Sequence, residues 1–551
     1  MGFLRNILLA LGALAAAEVG YGATEPWPWG VFGLLALPHL LAGLARFAGV
    51  RGRFRLAAVL SGAVEWTAPL VQLLAVFVFG WSEAVGRLFG AAPGLVSAPG
   101  PELLAALAPY ALAELAAIDA RARAVDLRAD VRSGLRKLQT RLFLSALLPI
   151  VVYVMLASAV SVHPTVQAWV EGVALLNGAF AAVLLVVFAL VLPSVMRNTW
   201  ETAPLAAGWQ REVLDETARR SGFRCKEVRV WRTSNLMANA AVIGFLPHHR
   251  VVLLSDALLA QLGPAELAAV FAHEVGHVTR RHVWIFGAWA LGFFLLADVA
   301  LRWLALESLG LELALFAAVL VVGYLAFGFL SRRFELDADL ASVDATGDPE
   351  GLIRALEQVG GAHARDKTSW RHFSVADRVR FLTRNAVNPH VGLQLRRRLR
   401  RWALLGVAVF AVGLGLEMYA LVRAIPEDRV GVELRLGRYA EALERSRDLD
   451  LDERTRAALE TARWVEDGAG RERLEELARG ALTQGEPERA LGFLDLIFLR
   501  GEEPPQGLRE ALADALGEGS DGSFFPPETL SPAWVEAMEE GLTPRQSSNR
   551  F

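Results

Sequence analysis

The 551-residue chain predicts a mainly α, polytopic membrane protein that carries one small α+β unit and an α-helical C-terminal domain. Three observations lead there. The chain is 54% hydrophobic with a mean hydropathy of +0.35, too apolar for a soluble protein of this length. Apolar runs of about 20 residues, the length a bilayer core demands of a helix, recur along it. One long stretch between such runs, residues 196–283, mixes strand-like and amphipathic patterns instead.

Composition narrows the function. The net charge is -3 and the basic residues lie scattered between apolar blocks, so nucleic acid is excluded as a partner and the lipid bilayer is the expected surroundings. A single cysteine, Cys225, rules out an intrachain disulfide and any cysteine-built zinc site. Only Lys137, Lys226 and Lys367 among the 56 basic residues are lysine, a bias expected of a GC-rich bacterial genome and hence of a bacterial inner membrane.

The apolar runs place six spans in an N-terminal region, 1–195: residues 3–20, Trp29–Val50, Leu56–Phe79, 103–120, Leu142–Val160 and Val170–Val195. The first is also short enough for a signal peptide. Pro109 and Glu114 in the fourth leave an interfacial helix open. Two more spans, 284–300 and 311–330, lie inside a domain running from 196 to 400, and a ninth occupies 401–424. Arginine placement orients them, because cytoplasmic loops retain basic residues. Residues 51–55, 121–141, 196–283 and 331–401 are basic, whereas 21–28, 81–102 and 161–169 hold only Arg87. Nine spans with the basic side cytoplasmic and the C-terminal domain outside satisfy this pattern. Glu65, Glu114, Asp298 and Glu417 fall within spans, where charge is costly and calls for a partner or a function.

Within 196–283, "GWQREVLDETARRSGF" predicts an amphipathic helix, "KEVRVWRT" and "RVVLLSD" short strands, and "LMANAAVIGFLP" a small-residue strand and turn. Pro264 suits a helix's first turn and opens "PAELAAVFAHEVGHVTRRHVW", which predicts one uninterrupted helix leading into the next span. After the last span, residues 425–516 become charged, Ala/Leu-rich helix. "LRLGRYAEAL" and "LTQGEPERAL" there share a tetratricopeptide-like pattern, but stand 48 residues apart against the usual spacing of about 34. A plain helical bundle fits equally well, and either offers a surface for a protein partner. The Gly-, Ser- and Pro-rich tail 517–551 predicts loop.

Chemistry concentrates in "HEVGH". On a helix, residues i and i+4 share a face, so His273 and His277 reach one cation while Glu274 stands beside it. Such a pair suits one zinc ion per chain with a position open for water. Gly276 between the histidines admits a closely packed neighbour. Catalytic zinc usually takes three protein ligands. His282, five residues past His277, has rotated off the ligand face. "SRRFELDADLAS", two spans later, offers Glu335 and Asp339 at i and i+4 on the same membrane side: the glutamate to complete the metal shell, the aspartate to hold the free N–H of a ligand histidine.

With these residues the chain resembles the integral-membrane zinc metallopeptidases that include the type 1 CaaX prenyl protease and the bacterial heat-shock protease X. The likeness spans roughly residues 200–390. It extends upstream to "NLMANAAVIG", where Asn239 and Ala240 resemble the family's substrate-binding strand, and downstream to "WRHFSVADRVRFL". There the family's His-Pro-Pro and Glu-Arg-Ile segments become His372, Phe373, Ser374 and Asp377, Arg378, Val379, so the prolines are lost. The resemblance implies a metalloendopeptidase acting at the cytoplasmic face on membrane-associated or misfolded polypeptides. Glu274 would move the proton, His372 steady the oxyanion, and Arg378 act as a structural partner. CaaX-type processing of lipidated C-termini is the narrower alternative, and a non-catalytic zinc-bearing scaffold or holdase the rival from another class.

Overall fold

The computed structural model describes residues 2–19, 26–90, 99–124, 128–160, 163–304, 309–364, 372–449, 471–485 and 505–516, with isolated positions between 451 and 497. The tail 517–551, residues 365–371 and the loop 305–308 lie outside the described residues. Two units separate: residues 1–89, 99–157 and 183–418 form one, and residues 90–98, 158–182 and 419–551 the other.

Five described helices are long and apolar enough to cross a membrane: Trp29–Val50, Ala129–Val160, Ala174–Thr199, His282–Leu304 and His390–Arg435. Ala174–Thr199 and His282–Leu304 each bury only 6% of their apolar window, so their Leu, Val, Phe and Trp side chains face outward, as a bilayer allows and water does not. The stretch 311–330 opens a 38-residue helix, Leu309–Thr346. Two expected straight spans are instead bent, by 55° between Phe54–Val64 and Thr67–Phe77 and by 42° between Gly100–Ala106 and Ala108–Ala124. Pro69 and Pro109 sit just past the two breaks and lack the N–H that would bond back four residues. The freed groups find other partners, as they must in lipid. Trp81 Nε1 donates to the Ala105 carbonyl at 3.2 Å, and Gln72 donates to Ala106 O at 3.1 Å while accepting from Tyr110 N at 3.1 Å. The four span carboxylates all have arginine partners: Glu65 with Arg5, Glu114 with Arg121, and Asp298 and Glu417 with Arg302.

The α+β unit holds a four-stranded sheet of β1 (Thr202–Pro204), β2 (Glu227–Trp231), β3 (Ala240–Ile243) and β4 (Val251–Ser255), ordered β1-β2-β4-β3. β2 and β4 run parallel, and the other two pairs are antiparallel. β1 was not expected, because three residues ending in proline show no alternation. Every residue of the central β4 is buried. Val252 and Leu254 pack with Leu214, Leu267, Phe271 and Val275, while Val251 and Leu253 pack with Met196, Trp200 and Trp231 on the other face. A strand covered on both sides reads as a continuous apolar run, as "VVLL" does.

Phe271 and Val275 belong to the motif helix, Pro264–Thr279. The expected continuous helix from 264 to 284 is corrected here: it ends at Thr279, Arg281 adopts the left-handed φ of +60°, and a new helix begins at His282. Against the motif helix lies the C-terminal half of Leu309–Thr346, hereafter the acid helix. A Cβ on Gly276 would stand 2.9 Å from Ala341 Cβ and 3.3 Å from the Ala338 backbone, so only glycine permits this approach. Ser342 Oγ donates to Ala269 O at 2.7 Å across the same contact.

In the second unit, Ala168, Val173 and Val432 pack together, and Ala174 N donates to Asp428 Oδ2 at 2.9 Å. The glycines of the two similar decapeptides, Gly437 and Gly485, have φ of +69° and +76° and each follows a helix. Their shared alanines, Ala442 and Ala490, are fully buried.

Gly276→Val should destabilise the protein by about 1–3 kcal/mol, the usual penalty of overpacking. A thermal melt of the detergent-solubilised chain showing no drop in midpoint would contradict the tight contact.

Candidate metal centre and active site

His273 and His277 project from one face of the motif helix, and Glu335 meets them from the acid helix. His273 Nε2 lies 3.5 Å from Glu335 Oε2, and His277 Nε2 lies 3.6 Å from Glu335 Oε1. One donor atom from each of the three residues falls within 4.8 Å of the others, a grouping able to hold a metal ion. His273 and Glu335 are buried, and His277 and Glu274 partly so.

Asp339 and Arg378, the residues expected behind the ligands, both lie close to His273. Asp339, fully buried one turn after Glu335, lies 2.9 Å from His273 Nδ1. That leaves Nε2, the other ring nitrogen, facing Glu335. Arg378 also grips Asp339, with Nε 2.8 Å from Oδ2 and Nη2 bonded to the same Oδ1 that His273 faces. The helix that carries Arg378, Val375–Val387, starts at Ser374, whose Oγ accepts from Asp377 N at 3.1 Å and donates to the Asp377 carboxylate at 2.7 Å. This reciprocal cap fixes the helix entry where the related pattern has proline. His372, just upstream, places Nδ1 3.0 Å from Glu335 Oε2, so its ring bonds the one acid of the cluster.

Burial would deny charge to all these groups, and their neighbours decide which stay charged. Burial works against the His273 imidazolium, but the bonds to Asp339 and Glu335 prevail and raise its pKa to about 10. Burial and the adjacent His273 charge push His277 down to about 3. Despite its burial, Glu335 is held far below the carboxylate range by His273 and His372, and Asp339 is held at about 2 by Arg378. At Glu274 burial outweighs the nearby His273 and Arg378 charges and pushes its pKa up to about 7. The centre thus carries two ionised carboxylates beside one charged and one neutral imidazole.

β3 forms an edge of the sheet, with no strand on its outer side among the described residues. Asn239 precedes it and bonds Ser255 twice, donating from N to Ser255 Oγ and accepting from Ser255 N, both at 2.9 Å. Ala240 pairs with Leu254. Asn239 and Ala240 therefore lie at this open edge.

His282 and Asp337 were not anticipated near the centre. His282 is no member of the three-residue cluster, yet its ring lies 3.1 Å from His277 and 3.0 Å from Asp337. Nothing in "HVTRRHVW" announces the turn that returns it, since an arginine with positive φ is uncommon.

Residues 204–390 match peptidase family M48. Over 97 residues the chain is 30% identical to Protease HtpX homolog of Sulfurihydrogenibium sp., an alignment covering 18% of this chain and 31% of that protein. Over 70 residues it is 34% identical to Protease HtpX of Pseudomonas aeruginosa, covering 13% and 23%. The chain thus matches less than a third of the length of these curated relatives. Among solved structures, the crystal structure of S. mikatae Ste24p aligns with 65% of this chain and 99% of its own at 16% identity and a TM-score of 0.41. The stretch that matches peptidase family M48, residues 204–390, contains the edge strand, the motif helix and the acid helix.

Proposed function

We propose that the protein is a membrane-integrated zinc endopeptidase that hydrolyses membrane-associated or misfolded membrane polypeptides at the cytoplasmic face. The observation that carries this is the buried His273, His277 and Glu335 cluster with Glu274 beside it. The donor spacing fits zinc: bonds of about 2.0–2.1 Å in a tetrahedron separate neighbouring ligand atoms by about 3.3 Å, and those measured here are 3.5 and 3.6 Å apart. When bound, zinc supplies a Lewis acid and a water of lowered pKa.

The chain's own residues do the rest. An extended substrate adds its backbone to the open edge of β3 beside Asn239 and Ala240, a mode that reads chain shape more than side chains. Glu274 takes the proton of the attacking water and returns it to the leaving amine. His372, partly exposed beside Glu335, steadies the oxyanion. Asp339 holds His273 by Nδ1, and Arg378 holds Asp339. The bond from Ala174 N to Asp428 supports the nine-span topology, because it joins one end of Ala174–Thr199 to the chain just past the last span. Both ends would then share a membrane side. The C-terminal helices on that side would meet exported polypeptides or a protein partner.

Three experiments test the reading. Glu335→Ala should cut the zinc content of purified protein far below that of Glu357→Ala, an exposed control; equal content in both removes Glu335 from the site. Glu274→Gln keeps shape and loses basicity, so it should retain stoichiometric zinc while peptide cleavage falls by about 10²–10⁴-fold. Cleavage equal to wild type would sink the peptidase mechanism, and no cleavage by either across unfolded membrane substrates and a farnesylated peptide would favour a zinc-bearing scaffold. Reporters fused after Thr199 and after Ile425 should give opposite topology signals, and matching signals would refute nine spans.

A further inference from the structure

We infer that Asp337 and His282 act as a positioning chain that fixes the tautomer of His277 and turns its Nε2 toward the metal site. The inference rests on the zinc-site reading above and extends it to two residues outside the donor cluster.

Had the motif helix continued, five residues at 3.6 per turn would have carried His282 about 140° away from His277. The left-handed turn at Arg281 resets that direction. His282 Nδ1 then lies 3.1 Å from His277 Nδ1, and His282 Nε2 lies 3.0 Å from Asp337 Oδ2. Both His282 and Asp337 are buried, at 3% and 5% exposure, so water does not compete for these bonds.

The proton positions follow from donor and acceptor rules. A carboxylate only accepts, and a neutral imidazole has one N–H and one bare nitrogen. Asp337 therefore takes the His282 Nε2–H, which leaves His282 Nδ1 bare. Two ring nitrogens facing each other need one hydrogen between them, so His277 Nδ1 supplies it. The bare nitrogen of His277 is then Nε2, the atom that faces Glu335.

Two further contacts hold the chain rigid. The His282 ring stacks on Phe334, centroids 4.5 Å apart and planes 10° from parallel. Arg396 Nε stands 3.4 Å from Asp337 Oδ1 and also pairs with Asp344, itself bonded by Arg280 at 2.8 Å. His273 receives Asp339 directly at Nδ1, whereas His277 reaches its carboxylate through an intervening imidazole. The acid helix supplies both carboxylates and Glu335.

The test measures zinc affinity of the full-length protein in detergent by chelator competition, with the metal-free melting midpoint as a fold check. His282→Phe preserves the ring stack but removes the acceptor. It should weaken zinc binding about 10–100-fold, as loss of such outer contacts typically does. His282→Asn places an amide oxygen near the former Nδ1 and should restore most of that affinity. A residue that merely fills space would show the reverse order. Unchanged affinity in His282→Phe, or equal weakening in both variants, overturns the proposal. Should His282→Phe fail to fold, Asp337→Ala gives the same reading from the other end, with about tenfold weakening expected and unchanged affinity overturning it. No substrate enters these measurements. A chain that shows the expected pattern but cuts nothing overturns the peptidase reading alone, and a wild type that takes up no zinc overturns both.

Discussion

Two expected membrane spans separate His277 from Glu335 in the sequence, so the candidate metal site depends on one helix–helix contact. That contact is the approach of the acid helix to Gly276. Ala338, Ala341 and Ser342 form the face that presses on the motif helix. With 3.6 residues per turn, this face puts Glu335 and Asp339 along its margin, one turn apart and both on the histidine side. The register of the whole centre follows: Glu335 arrives between the two histidines, and Asp339 arrives behind His273. A side chain at 276 would push the acid helix outward and shift every one of these distances together.

The same contact imposes an electrostatic cost. Burying a carboxylate costs several kcal/mol unless partners offset it, and the acid helix brings in Glu335, Asp337 and Asp339. Each meets a cationic or donor group from a different part of the chain: Arg378 for Asp339, His282 and Arg396 for Asp337, the histidines for Glu335. These partners come from three further helices and the segment before Val375, so the charge compensation also draws the domain's elements together. Glu274 lies outside this scheme. Burial outweighs the pull of the nearby His273 and Arg378 charges there, so its carboxyl is pushed up toward neutrality.

Local spacing made much of this legible. The i, i+4 pairs His273/His277 and Glu335/Asp339 announce two helical faces, and the apolar run of β4 announces a strand covered on both sides. Sequence periodicity assumes that a helix continues until proline or glycine stops it, and the errors lie where that assumption fails. Arg281 turns the chain with neither residue, so His282 was assigned to the wrong face. Pro69 and Pro109 lie past the breaks at 65–66 and 107, and their effect on otherwise apolar runs is a bend, with Gln72 and Trp81 supplying bonds that hydropathy does not register. The likeness of Asn239 and Ala240 to a substrate strand was readable, but their place on an open edge needed the pairing of β3 with β4.

An edge strand that pairs through its backbone discriminates weakly among sequences, so on the proposed function selectivity has to come from which chains reach β3. The structure ties that edge to the start of an apolar helix. The turn after β3 brings Phe245 against Trp284, ring centroids 5.4 Å apart, and Trp284 lies in the first turn of the apolar helix His282–Leu304. Aromatic residues of this kind favour the membrane–water interface. On the proposed topology the edge strand would lie beside the point where the chain enters lipid, and an unfolded segment already at the membrane surface would reach it at far higher local concentration than one free in solution. Access at the interface, more than recognition of side chains, would then set which polypeptides are cut.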